Sequence, residues 1–495
     1  MRTSCIYRVT VAAVTLSILA ACDGGGGARA PSAPPSSTPR PPAITAVYQG
    51  SWLAAGYGRV LEIGTDSLRL LDYTDSYCLV TANETEVTTK DIESLFRLSG
   101  NQLEWFSSVG TAEFGAPAVR FQSVASLPAS CDPELTPTVG EAGYKRDPRR
   151  DLRLFAELIA EYSIYPSLRD IDVFDLFEQQ AALLSIESND QELTEALFRL
   201  AEPFADIHAT VETSEGLIKV LNKPSLQQRL VNEWLLDQEV TPPLSVTELE
   251  ALNEYILEQA IRDRAITLSY ASDEEDIRRA ANGLLTWFEV DGVGYLAVDA
   301  MLGFGDIEDN EDELVQLDRG LDIALQDLRD AEVLVLDIRR NGGGKDFLSI
   351  ALAGRFIANE TQAYRKQARD GDGRTELREV YASPRGSTQY LGPIVLLTSN
   401  ETASAAEVFT LIMRELPNVT LLGESTQGGL SDQLDKKLTN GWGASVGNEF
   451  YLSVQDEWFE GTGIPVDVQV PQFERSARDA GVDSALETLT TMLEE

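Results

Sequence analysis

Histidine occurs once in this 495-residue chain, at position 208. One imidazole cannot build a multi-histidine metal centre, and any mechanism that needs an imidazole base has a single candidate. Cysteine is almost as scarce, with four residues at positions 5, 22, 78 and 131. No metal and no cofactor is implied by so thin a ligand set. Basic residues are also few, 40 against 80 acidic ones, for a formal net charge of −40. A field of that sign repels phosphates and anionic lipid, which excludes nucleic acid as a partner. The apolar run at 9–21 is too short to span a bilayer.

That run, preceded by Arg2 and Arg8, has the length of an export signal. It ends in Leu19-Ala20-Ala21-Cys22, which resembles the lipobox of bacterial lipoproteins. The resemblance implies cleavage before Cys22, lipidation of Cys22 and a place in the bacterial cell envelope, facing the periplasm or the outside. Residues 1–22 are then a lipoprotein signal, and the Gly/Pro/Ser-rich stretch 23–44 is a disordered tether. With Cys5 and Cys22 assigned to the signal and the anchor, Cys78 and Cys131 remain as an even pair in an oxidising compartment. One disulfide between them is expected.

Beyond the tether, the expected fold is multidomain α+β. Alternation of apolar and polar residues makes 45–135 a small β domain. Periodicity of 3.6 marks a helical region over 146–283, with helices persisting from 225 to about 282. Within it, "FADIHATVET" puts His208 at a helix-to-strand junction. From 284 to 475 strands and helices alternate, as in a parallel-type α/β core, and 476–495 closes the chain with a helix. Lys436 and Lys437 read as a solvated pair near a hairpin, and the acidic run 306–313 as a solvated loop.

Two strand-to-helix junctions in the core carry chemistry. In Asn341-Gly342-Gly343-Gly344, glycines let several N–H groups point into one space, which suits an anion. A nucleotide loop is excluded, because Lys345 is followed by Asp346 rather than Ser or Thr. An oxyanion hole and a tight structural turn both remain open. In "TASAAE" (402–407), Ser404 sits between alanines at the start of a helix. It can be an exposed nucleophile or an ordinary N-cap.

"LVLDIRRNGGG", "TASAAE", "GESTQGG" and "FEGTGIPVDVQV" in this order resemble the S41 peptidase family, which holds the carboxyl-terminal processing proteases, the tricorn core protease and the interphotoreceptor retinoid-binding proteins. The resemblance implies a crotonase-like βα core and a serine endopeptidase acting on peptides or unfolded proteins. It makes Ser404 the nucleophile, with oxyanion donors from Gly342 or Gly343 and from Ala405. The processing branch takes its base from a lysine, but Gly429 stands at the matching place. The tricorn-like branch uses a histidine in an Asp-x-His setting, here Asp206 and His208, and a glutamate before the last strand, here Glu460. Glu460 would orient the imidazole directly or through another side chain. The alternative is an inactive peptide- or ligand-binding protein on the same fold. Oligomeric state and substrate are not readable.

Overall fold

The computed structural model describes residues 43–105, 119–132, 134–213, 216–242 and 244–494. The export signal, Cys22 and nearly all of the 23–44 tether lie outside the described residues. No helix among the described residues is long and apolar enough to cross a membrane.

Seven strands make the central sheet, in the order Arg278–Ala280, Leu285–Val290, Val293–Val298, Val333–Asp337, Ile394–Thr398, Val419–Gly423, Val468–Gln469. The first three pair antiparallel, and every pairing from Val293–Val298 onward is parallel. The strands VLVLD and IVLLT are buried at every position, the mark of a strand covered on both faces. Alternate residues divide between two cores. Leu334, Leu336 and Leu396 pack with the helices Asn310–Asp327, Asp346–Ala353 and Ala405–Met413. Val333, Val335 and Leu397 pack with the terminal helix Ser484–Glu494 on the other face. Three neighbouring parallel strands end at Asp337, Thr398 and Gly423, so the loops that follow them converge at one edge.

Strands Thr210–Thr213 and Gly216–Lys219 join the hairpin Gln433–Lys437/Gly443–Gly447 in a second sheet. That annexation carries residue 208 to the core. The N-terminal strands form an antiparallel sheet in the order Cys78–Thr85, Ser67–Tyr73, Arg59–Ile63, Gly50–Ala54, Val119–Val124, Gln102–Trp105, Phe96–Ser99. Cys78 and Cys131 are joined, with their Cα atoms 5.0 Å apart. This sheet shares one continuous core with the helical region and the hairpin, through Trp52, Leu61 and Phe121, then Phe155 and Tyr162, then Leu434 and Val446.

Three local expectations are corrected. The helix expected to run to about 282 ends at Leu268; turns follow, and Arg278–Ala280 extends instead, because it gains a ladder with Leu285–Trp287. Lys436 is not solvated: its ammonium is buried between Asp72 Oδ1 and the Gly58 carbonyl, each 2.8 Å away. Within the acidic run 306–313, Glu313 is fully buried and accepts the amides of Gly303 (2.9 Å) and Phe304 (2.7 Å).

Candidate active site

Ser404 is the residue before the helix Ala405–Met413 and has φ 54° and ψ −127°. A serine disfavours positive φ, and holding it there costs about 1–3 kcal/mol. Several bonds impose the conformation. The Ser404 amide donates to the Gly429 carbonyl at 3.0 Å and reaches Glu407 Oε2 at 3.2 Å. The Ala403 amide donates to the Asn341 carbonyl at 3.2 Å, and Thr402 Oγ1 to the Ile338 carbonyl at 3.0 Å. Two neighbouring strand ends thus grip the turn, and the Ser404 side chain is presented half-buried at a helix N-terminus.

The glycine turn lies against it. Asn341 is fully buried; its side chain donates to the Val298 carbonyl at 3.0 Å and accepts the Gly343 amide at 2.9 Å. The Gly343 N–H is therefore occupied. The amides of Gly342 and Ala405 have no acceptor among the described residues. Of the three donors expected from the sequence, these two are free. Gly343, at φ +103°, has no room for a side chain: a Cβ would lie 2.7 Å from both the Ala403 carbonyl oxygen and Ser404 Cβ. Beside Gly342 there is open space.

His208 Nε2 lies 3.3 Å from Ser404 Oγ across 196 residues of sequence. The turn that aims it is built by Asp206, whose Oδ1 accepts the His208 amide (2.8 Å) and whose Oδ2 accepts the Gly447 amide (2.9 Å). Ser445 Oγ donates to the His208 carbonyl at 2.7 Å. The imidazole is 7% exposed. Burial, and then the charge of Lys219, lower its pKa to about 3, so the ring is neutral at pH 7. Burial also raises Asp206, to about 6.

Glu460 does not meet the imidazole. One of its oxygens accepts Tyr165 Oη at 2.5 Å, and the other accepts the amides of Leu430 (3.1 Å) and Ser431 (2.9 Å). His208 Nδ1 is buried without a protein partner. Burial, then the charges of Glu407 and Asp206, push the Glu460 carboxyl well above its usual range. Tyr165 carried no signal in the sequence, because its partner is 295 residues away.

Glu407 was quoted in the motif without a role, and it is the latch of the site. Fully buried, it accepts Thr426 Oγ1 (2.6 Å) and the amides of Gly428 and Gly429 (2.8 Å each), besides that of Ser404. A Cβ at Gly429 would come 2.3 Å from Ile207 Cδ1, so a side chain there would have to displace the end of the Ile207 side chain. The residue preceding the imidazole thus fills the space a lysine at 429 would need. Cys78 and Cys131 lie in the N-terminal region, joined to each other, and no group of His, Cys, Asp and Glu among the described residues could hold a metal.

Residues 292–470 match the family model described as Peptidase family S41. The carboxy-terminal processing protease CtpA of Bacillus subtilis is 27% identical over 147 residues, 29% of this chain and 30% of that protein. The tail-specific protease of Haemophilus influenzae is 31% identical over 108 residues, 22% of this chain and 15% of that protein. The chain thus spans about a third or less of these relatives. A crystal structure of a candidate peptidase from Parabacteroides merdae superposes with a TM-score of 0.54 and 21% identity, over 70% of this chain and 97% of that one, a likeness of fold. Residues 292–470, which hold both strand-to-helix junctions of the site, are thus the part of this chain that is similar to peptidase family S41.

Proposed function

We propose that this protein is a serine endopeptidase that cleaves peptides or unfolded proteins through an acyl-enzyme. The observation that carries the reading is the 3.3 Å approach of His208 Nε2 to Ser404 Oγ beside two unpaired amides. Ser404 Oγ attacks the scissile carbonyl carbon while Nε2 takes its proton. The tetrahedral oxyanion accepts hydrogen bonds from Gly342 and Ala405, already in place at a helix N-terminus. The imidazolium then gives its proton to the departing amine, leaving the acyl ester on Ser404. Water, deprotonated by the same imidazole, releases the second product and restores the serine.

Glu460 acts here as a positioning residue. It fixes Leu430 and Ser431, the continuation of the glycine loop on which Ile207 packs. Asp206 sets the imidazole through the backbone. Lys223, which reaches the same loop, is held by Ser425 Oγ (3.0 Å) and the Thr462 carbonyl (2.9 Å).

Hydrolysis of casein at neutral pH, with Ser404→Ala as blank, tests the assignment. His208→Ala is expected to lower the rate roughly 10²–10⁴-fold. Equal rates for wild type and His208→Ala would remove His208 from the mechanism. No hydrolysis and no labelling of Ser404 by an acylating probe would favour a binding protein.

The same reading places the protein in the envelope, tethered through Cys22; the Cys78–Cys131 disulfide supports an oxidising compartment. Labelled palmitate should be incorporated in a bacterial host and lost in Cys22→Ala. Incorporation that survives that change would refute the anchor.

A further inference from the structure

The helix Val246–Leu268 has two unlike faces. Its inner face is used by the fold: Leu252 packs with Val231 and Trp234, Asp263 pairs with Arg340, and Thr267 Oγ1 donates to Asp483 Oδ2 at 2.8 Å. On the outer face Val246 is 73% exposed, Leu249 46%, Leu257 62% and Ile261 60%. At 3.6 residues per turn these four fall within about a third of the helix circumference and extend roughly 22 Å along it. Single exposed apolar residues need no explanation, but a stripe of four on one helix does.

A second feature flanks the stripe. Glu250, Glu254 and Glu258 are all exposed and lie four apart, in one row. None of them has an ion-pair partner among the described residues. Like charges at that spacing destabilise a helix by a few tenths of a kcal/mol per pair. Both the stripe and the row disfavour the isolated fold, and neither contributes to its packing.

This helix stands beside the catalytic loops. Arg340, which pairs with Asp263, immediately precedes Asn341 of the glycine turn. The companion helix Leu226–Gln238 is fastened to the segment before Ser404, through Leu226 N to Glu401 and Arg229 to Asn400 Oδ1 at 2.6 Å. At its Ile261 end the outer face is therefore one helix diameter, about 10–12 Å, farther out than the Asp263–Arg340 pair, and from there it runs away along the helix. An extended chain rises about 3.3–3.6 Å per residue, so a bound polypeptide reaches it within ten residues or so of the scissile bond.

The charge row selects the occupant. A second copy of this chain, at a net charge of −40, meets like charge there. An anionic lipid surface does the same. Apolar residues interspersed with Lys or Arg are complementary to both the stripe and the row. We propose that the Val246–Ile261 face is a docking surface for unfolded substrate segments that carry apolar and basic residues. The proposal rests on the peptidase reading for its word "substrate".

Binding is measured first, on Ser404→Ala protein, with fluorescently labelled, reduced and carboxamidomethylated lysozyme as a basic unfolded probe. Two variants are compared, Leu257→Ser/Ile261→Ser and Glu250→Lys/Glu254→Lys/Glu258→Lys. Each should weaken the Kd at least fivefold. In the Ser404 background KM for the same probe should rise in proportion with kcat unchanged, and hydrolysis of a hexapeptide, too short to reach the helix, should not change. An unaltered Kd in both variants overturns the proposal, as does an equal loss on the hexapeptide. A fall in mass from dimer to monomer, or loss of wild-type binding to phosphatidylglycerol vesicles, in these variants would give the face to a second copy or to lipid and overturn it too. If wild type cuts neither probe nor hexapeptide, the peptidase reading fails while the Kd comparison still decides the surface.

Discussion

At the scale of single residues, the site joins a strained serine to an imidazole of low proton affinity. A buried ring whose pKa is pushed down to about 3 is neutral over the whole physiological range. Protonation removes the acceptor lone pair, so activity is lost as pH falls through the pKa of the base and is retained above it. An exposed histidine would lose activity near pH 6.5. Here kcat/KM for a peptide should stay level from pH 8 to about 6.5. Its decline should begin only lower, where Asp206, raised to about 6, takes up a proton before the imidazole does. The pH–rate profile of wild type checks this, and a clean single titration at 6.5–7 would contradict the buried, neutral ring. Asp206 matters at this scale because it accepts the His208 amide; its protonation weakens the turn that aims the ring.

At the scale of elements, the loop after strand Val419–Gly423 is held to the helix Ala405–Met413 by one carboxylate. Glu407 receives four donors, from Ser404, Thr426, Gly428 and Gly429. Glutamine keeps the shape but turns one acceptor oxygen into an NH₂ that faces donors. Glu407→Gln should cost about 2 kcal/mol of stability, the price of buried donors left unpaired. It should also slow acylation of Ser404 roughly tenfold, through a turn that no longer holds its φ. Denaturant midpoints and the rate of labelling by an acylating probe measure the two effects separately. Labelling at the wild-type rate in a destabilised Glu407→Gln protein would reduce the latch to a purely structural contact.

At the scale of the whole molecule, what could be read from the sequence divides along physical lines. Val333–Asp337 and Ile394–Thr398 were legible because strands covered on both faces are unbroken apolar runs. The small-residue junction alone left Ser404 open between nucleophile and N-cap; the motif resemblance singled out Ser404 and His208, and folding brings their side chains to 3.3 Å. Contacts made across distance were not legible. Tyr165 finds Glu460 only after folding, and Lys436 reads as a surface lysine until the N-terminal sheet covers it. The end of the helix at Leu268 was missed because the ladder that competes for residues 278–280 lies in another element. The same long-range packing joins the N-terminal sheet to the helical region and the hairpin Gln433–Lys437/Gly443–Gly447 in one core. Trp52 and Phe121 share a core with Phe155, Leu434 and Val446, and Lys436 bridges to Asp72. The disulfide Cys78–Cys131 closes a separation of 53 residues, for which loss of chain entropy in the unfolded state is worth about 4 kcal/mol. With a shared core, loss of the disulfide should be felt at the candidate site, which is built on other sheets than the one that holds Cys78. In urea, tryptophan fluorescence and casein hydrolysis should fall together, and reduction should move both midpoints down by the same amount. If reduction instead melts the N-terminal sheet alone while hydrolysis keeps its midpoint, the sheet is an independent domain, and its core contacts do not couple it to the catalytic loops.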